Sequence, residues 1–93
     1  MDQIQNSRMN NIIFLAQCMD KTHVEDANTI NRMLKISGID DAFETHVPYG
    51  GQEYCLAAVS HSKPRDHQRI MSKLLKDTNV KSVKKLTLEE SPF

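Results

Sequence analysis

The fold is decided by residues 41–59, which read DAFETHVPYGGQEYCLAAV. Apolar and polar residues alternate over 41–47, as in a half-buried β-strand. One side of this strand is predicted to carry three residues at alternate positions, Ala42, Glu44 and His46. The next four residues, 48–51, end in paired glycines, which supply the positive φ angles that a tight hairpin requires. A second strand over 53–59 then returns, so the stretch predicts an antiparallel β-hairpin.

A strand and a helix precede this hairpin. Residues 12–16 form a continuous β-prone apolar run, which is typical of a strand in the middle of a sheet. Thr22 and Glu25 match the capping box that begins a helix, and Gly38 is placed to end it. Asp26 is assigned to the solvent side of this helix. The apolar side is predicted to hold Ala27, Ile30, Met33 and Leu34.

A helix and a strand also follow the hairpin. Ser62 and Pro64 open the second helix, residues 77–79 end it, and a last strand starts at Val80. Its apolar stripe is predicted to be Ile70, Met71, Leu74 and Leu75. The order strand-helix-strand-strand-helix-strand predicts an α+β fold of the ferredoxin-like βαββαβ type, a four-stranded antiparallel sheet with two helices on one face. Right-handed crossovers place strands one and three in the centre.

Length and composition support one small domain. The chain has 93 residues, of which 39% are hydrophobic and 26% charged, and a chain this short buries one core. We expect a flexible N-terminal lead-in over 1–10, one domain over 11–90 and a tail over 91–93. No apolar stretch is long enough to cross a bilayer and no secretory signal is visible. The expected location is therefore the cytoplasm, without a membrane.

The junctions between helices and strands resemble those of several ferredoxin-like families. The phrases are residues 34–39, LKISGI, and residues 77–83, DTNVKSV. The resemblance extends to ACT-type regulatory domains, heavy-metal-associated domains, cytosolic domains of cation-efflux transporters and signal-peptide chaperones of periplasmic nitrate reductase. It is a resemblance of shape. Residues 20–25 lack the two cysteines of the heavy-metal-associated family and the glycine of an ACT ligand site, so neither site is carried over.

The leading functional hypothesis is a non-catalytic binding or regulatory module. A sheet covered by helices on one face leaves the other face and an edge strand available for pairing, which favours a homodimer or a protein partner. The residues assigned to this docking face are Phe14, Ala16, Tyr54 and Leu56. No catalytic motif is present and no cofactor is predicted, so we do not expect an enzyme.

The second hypothesis is binding of an anion or a nucleic acid by the basic second half. Residues 61–85 contain eight basic and two acidic residues, whereas the chain as a whole carries twelve of each. Hydroxyls and cations at a helix start are suited to phosphate. The residues assigned to this alternative are Ser62, Lys63, Arg65, Arg69, Lys73 and Lys76.

The third hypothesis is a metal site, because four histidines and two cysteines provide enough potential metal ligands in a chain of 93 residues. Strands one and three are predicted neighbours, so Cys18 and Cys55 could share a soft ion. His61 and His67 are added as further candidates. The alternative for both cysteines is that they are buried, reduced thiols that only pack.

Overall fold

The computed structural model describes residues 12–20 and 22–87. Its elements in chain order are β1 (Ile12–Cys18), α1 (His23–Leu34), β2 (Ile39–Tyr49), β3 (Gln52–Ser60), α2 (Pro64–Leu75) and β4 (Val80–Thr87). The four strands form one antiparallel sheet in the order β2-β3-β1-β4. This confirms the predicted ferredoxin-like fold, with β1 and β3 in the centre. The predicted lead-in over 1–10 and the tail over 91–93 lie outside the described residues.

The hairpin between β2 and β3 is formed as the sequence predicts. Gly50 and Gly51 have φ angles of 59° and 82°, the positive values that a tight hairpin turn requires. The register between the two strands shifts between Glu44 and Val47. His46 lies inside this irregularity and has a φ of 52°, a conformation that is uncommon for a residue other than glycine. The β2 strand is therefore locally distorted at His46.

The predicted helix caps are also present. The Thr22 hydroxyl accepts a hydrogen bond from the Glu25 backbone N–H at 3.3 Å, which satisfies one of the free donors at the start of α1. Gly38, with a φ of 104°, reverses the chain after α1. The α2 helix begins at Pro64, whose missing N–H costs nothing at a first helical position.

The sheet separates two groups of buried side chains. The larger group lies on the side covered by the helices and includes Phe14, Met33, Leu56, Ile70 and Leu74. The second group lies on the opposite side and consists of Ile13, Leu15, Tyr54, Ala57 and Leu86. Since β-strand side chains alternate between the two faces, neighbouring residues of β1 belong to different groups.

The inward face of α1 differs from the sequence prediction. Asp26, assigned to solvent, is fully buried together with Thr29 and Met33, whereas Leu34 is exposed. Ala27 is exposed as well. Residues 26, 29 and 33 recur at helical spacing, so the helix is turned by about one residue from the predicted orientation, and it presents a carboxylate to the protein interior. Neither helix of the described chain is long and apolar enough to span a membrane.

Candidate metal centre

Four metal-ligating side chains converge where α1 packs on β2. His23 and Asp26 are three residues apart at the start of α1, so they lie on one side of that helix. Glu44 and His46 are two residues apart on β2, and their side chains meet at 2.6 Å although the strand is distorted at His46. The alternation of residues 41–47 predicted that Glu44 and His46 share one side of the strand. The approach of His23 and Asp26 from the helix was not predicted. The two pairs face each other across the α1–β2 contact.

The Glu44 carboxylate joins the two imidazoles. Its Oε2 atom lies 2.6 Å from His46 Nε2 and 2.8 Å from His23 Nδ1. His46 Nε2 is in turn 3.9 Å from Asp26 Oδ2. One ligand atom from each of His23, Asp26 and Glu44 lies within 4.8 Å of the other two. His23, Asp26 and Glu44 thus surround a common point, and His46 adjoins this group through Glu44 and Asp26.

The inner member of the cluster is Asp26, and its carboxylate is in an unusual state. The residue is completely buried, and both of its carboxylate oxygens are without a hydrogen-bond partner. A buried carboxylate in this condition is costly, since its charge has lost water and is opposed only by the weakly polar Cys18 thiol and the more distant His46 and His23 rings. Burial raises the pKa of Asp26, and the negative charge of Glu44 raises it further. The two neighbouring histidines and the weakly polar Cys18 thiol oppose this shift.

The outer members of the cluster are open to solvent. The His23 side chain is 88% exposed, whereas Glu44 is 29% exposed. The hydrogen bond with Glu44 raises the pKa of His46, and the same bond lowers the pKa of Glu44. Without a metal, hydrogen bonds between histidine and carboxylate groups therefore connect the outer members of this cluster. At its buried end the Asp26 carboxylate accepts no hydrogen bond, and His46 Nε2 is 3.9 Å away.

A polar network behind α1 fixes the position of the helix. Arg32 donates two hydrogen bonds to the Asp77 carboxylate, at 2.6 and 2.9 Å. The Asn79 side-chain amide donates to the Thr29 hydroxyl at 3.0 Å and to the Asp20 carbonyl at 3.3 Å. These bonds connect the helix to the segment between α2 and β4. They hold α1 in the orientation that turns Asp26 inward.

The sequence suggested Cys18, Cys55, His61 and His67 as metal ligands, and the structure brings the two cysteines together. Cys18 and Cys55 are both buried and reduced, and they lie close enough to interact through their thiols. His61 is at the other end of β3, where its Nδ1 lies 2.6 Å from Asp40 Oδ2. His67 is buried, with its Nε2 atom 3.0 Å from the Ser62 carbonyl. The two histidines are thus engaged away from the thiol pair.

The residues assigned to the docking face are divided between the two sides of the sheet. Phe14, Ala16 and Leu56 belong to the buried group under the helices, and Tyr54 belongs to the opposite group. The reason is strand parity, since residues 14 and 16 of β1 point to the same side as the helices. Docking on the open face stays a prediction, and of the four assigned residues only Tyr54 lies on that face.

The residues assigned to anion binding lie on and before α2. Arg69 donates a hydrogen bond to the Ser37 carbonyl at 2.9 Å, and the Ser62 hydroxyl donates to the Gly38 carbonyl at 3.4 Å. Both side chains therefore contribute to the contact between α2 and the end of α1. All five basic residues of this set are exposed, namely Lys63, Arg65, Arg69, Lys73 and Lys76. Anion binding there stays a prediction.

No family model and no curated protein sequence matches this chain. Among solved structures, the crystal structure of TTHA0845 from Thermus thermophilus is similar, with a TM-score of 0.65 and 10% sequence identity. The similarity covers 82% of this chain and 88% of that one. At this identity it supports the ferredoxin-like fold and nothing about function.

Proposed function

We propose that this protein binds one divalent transition-metal ion of borderline hardness, the class to which zinc belongs, at the cluster of His23, Asp26, Glu44 and His46. The observation that carries the proposal is the fully buried Asp26 carboxylate with both oxygens unpartnered. A bound cation would supply the missing charge and the missing partner together.

The donor set favours this class of ion. Two imidazoles with two carboxylates are typical ligands of zinc in proteins, whereas calcium and magnesium prefer oxygen donors alone. In a tetrahedral site with ligands about 2.1 Å from the ion, neighbouring donor atoms are about 3.4 Å apart. Glu44 Oε2 is 2.6 Å from His46 Nε2 and 2.8 Å from His23 Nδ1. Binding of an ion by all four side chains therefore requires both histidine rings to move away from Glu44 and to turn toward a common centre, since their ring centroids are 6.4 Å apart.

The exposure of the ligands indicates how the ion would be used. His23 is 88% exposed, so an ion enters and leaves from solvent. The core under the helices is made of apolar side chains from both helices and all four strands, so the fold does not depend on the metal. We therefore propose that the metal binds reversibly, as in a metal carrier or sensor, and is not required for folding.

Calorimetric titration with zinc tests the proposal. We expect chelator-treated protein at neutral pH to bind about one equivalent, with release of protons because His46 must lose its hydrogen. The variants Asp26→Asn and His46→Ala should each lower the affinity by at least about 10-fold.

The matched control is His61→Ala, since His61 also pairs with a carboxylate at 2.6 Å and is 51% exposed. That pair has no buried, unpartnered carboxylate beside it, and its removal should leave the zinc affinity unchanged. Wild-type protein that binds no zinc, or site variants that bind it as tightly as wild type, would contradict the proposal.

A further inference from the structure

A second group of metal-ligating side chains adjoins the first and differs from it by containing a thiol. One ligand atom from each of His46, Glu53 and Cys55 lies within 4.8 Å of the other two. His46 belongs to both groups, because its Nε2 atom also lies 2.6 Å from Glu44. The two groups therefore meet at one imidazole.

The irregular pairing of β2 with β3 brings Cys55 to this position. Cys55 and Leu56 are consecutive, yet both belong to the buried group under the helices, whereas regular strand residues alternate. The shift in register between Glu44 and Val47 lies opposite Cys55, and the positive φ of His46 falls in the same place. One distortion thus sets both the imidazole and the thiol toward the α1 side.

The thiol is buried behind two exposed ligands. Cys55 is completely buried, but His46 and Glu53 are both exposed. An ion would therefore meet the two outer ligands first, with the sulfur within 4.8 Å of them. The arrangement repeats that of the first group, in which exposed histidines stand in front of a buried carboxylate.

We propose that Cys55, His46 and Glu53 form a second, thiolate-containing metal position that selects thiophilic divalent ions such as cadmium. The inference rests on the proposed function, because both positions use His46. Soft thiolate ligands prefer such ions, while the nitrogen and oxygen donors of the first position suit zinc. Binding replaces the S–H bond of Cys55 by a bond between sulfur and the ion, and the proton leaves to solvent.

The shared imidazole makes the two positions alternatives for one ion. A neutral imidazole carries one hydrogen and one free lone pair, so it ligates one ion at a time. The chain is therefore expected to hold one ion, near Asp26 when the ion is zinc and near Cys55 when it is cadmium. Cadmium should displace zinc from the loaded protein without a rise in stoichiometry.

Titration of the full chain with cadmium and with zinc, followed by ultraviolet absorption and calorimetry, tests this. Cadmium should bind with a thiolate-to-metal charge-transfer band. Cys55→Ala should lose that band and at least about 10-fold in cadmium affinity while keeping its zinc affinity. Glu44→Gln, at a partly exposed position, should keep the band and the cadmium affinity and lose at least about 10-fold in zinc affinity. The matched control Cys18→Ala removes a neighbouring buried thiol and should keep the band.

Two results separate failure of this inference from failure of the proposed function. If zinc binds but cadmium binds without the band, or the band survives in Cys55→Ala, the thiolate position is wrong and the first site stands. If neither ion binds to wild-type protein, both are wrong.

Discussion

Asp26 is the residue at which stability and the proposed function oppose each other. Its raised pKa means that the folded state holds a proton more tightly than the unfolded state does. Folding stability therefore falls as the pH rises above the ordinary carboxyl value of 3.8 and through the raised one. A buried carboxylate without partners is a cost that a metal ion would remove.

Replacing Asp26 by Asn should therefore stabilise the metal-free protein. The amide has nearly the same shape and no charge, so we expect a gain of about 1–3 kcal/mol at neutral pH. Urea unfolding in the presence of chelator would measure it. The gain should shrink as the pH is lowered toward the ordinary pKa of a carboxyl group, because Asp26 then becomes neutral in the wild type. A loss of stability in Asp26→Asn at every pH would show that the carboxylate has a partner.

Cys18 gives a second prediction at this scale. Burial raises the pKa of the Cys18 thiol to about 12, and the neighbouring Cys55 and Asp26 add to the shift. The thiolate is the reactive form, so alkylation at neutral pH should be at least about 1000-fold slower than for an unfolded cysteine. The test is iodoacetamide labelling of Cys55→Ala, in which Cys18 is the only thiol, with the urea-unfolded protein as control. Equal rates would contradict the burial of Cys18.

Among the secondary-structure elements, the loop after α1 depends on Gly38. A Cβ atom there would lie 2.7 Å from the Ser62 Oγ and 2.8 Å from the Ile70 Cδ1, and the φ of 104° is strained for any other residue. Gly38→Ala should lower the free energy of unfolding by about 2–4 kcal/mol. The control is Gly50→Ala, where φ is also positive but no atom lies within 4 Å of the added Cβ. Its cost should be about 1–2 kcal/mol. Equal losses in Gly38→Ala and Gly50→Ala would contradict the close contact at Gly38.

The attachment of α1 to the segment before β4 depends on Asp77. The hydrogen bonds from Arg32 lower the pKa of Asp77, so the stability they provide is present above the ordinary carboxyl pKa and lost as the pH falls through the lowered value. Because the Arg32 side chain is 44% exposed, we expect Asp77→Asn to cost only about 1 kcal/mol at neutral pH. The difference between wild type and Asp77→Asn should vanish in acid, as urea unfolding at several pH values would show. A pH-independent difference would contradict this role of the ion pair.

The elements were predictable because their signals are local. Paired glycines fix the hairpin, Thr22 and Gly38 bound the first helix, and short-range periodicity gives the strands. The site was not predictable in the same way, because Asp26 is charged and the helix pattern assigns charged residues to solvent. Its burial depends on how α1 is turned against β2, which is a tertiary effect. The spacings of His23 with Asp26 and of Glu44 with His46 were visible in the sequence and could have suggested two ligand pairs.

Across the whole molecule, the proposed metal chemistry is concentrated at one end of the sheet. The described residues place His23, Asp26, Glu44 and His46 near Cys18 and Cys55, whereas the pair of Asp40 and His61 lies at the opposite end of the β2–β3 hairpin. The exposed cations of α2 do not contribute to this cluster. A ferredoxin-like fold is compatible with many functions, so the cluster and not the fold carries the proposal.

The most direct test is a crystal structure of the zinc-loaded protein with anomalous diffraction at the zinc absorption edge. We expect one anomalous peak with donor atoms of His23, Asp26, Glu44 and His46 about 2.0–2.2 Å away. A peak at the Asp40–His61 pair alone, or none beside Asp26, would contradict it.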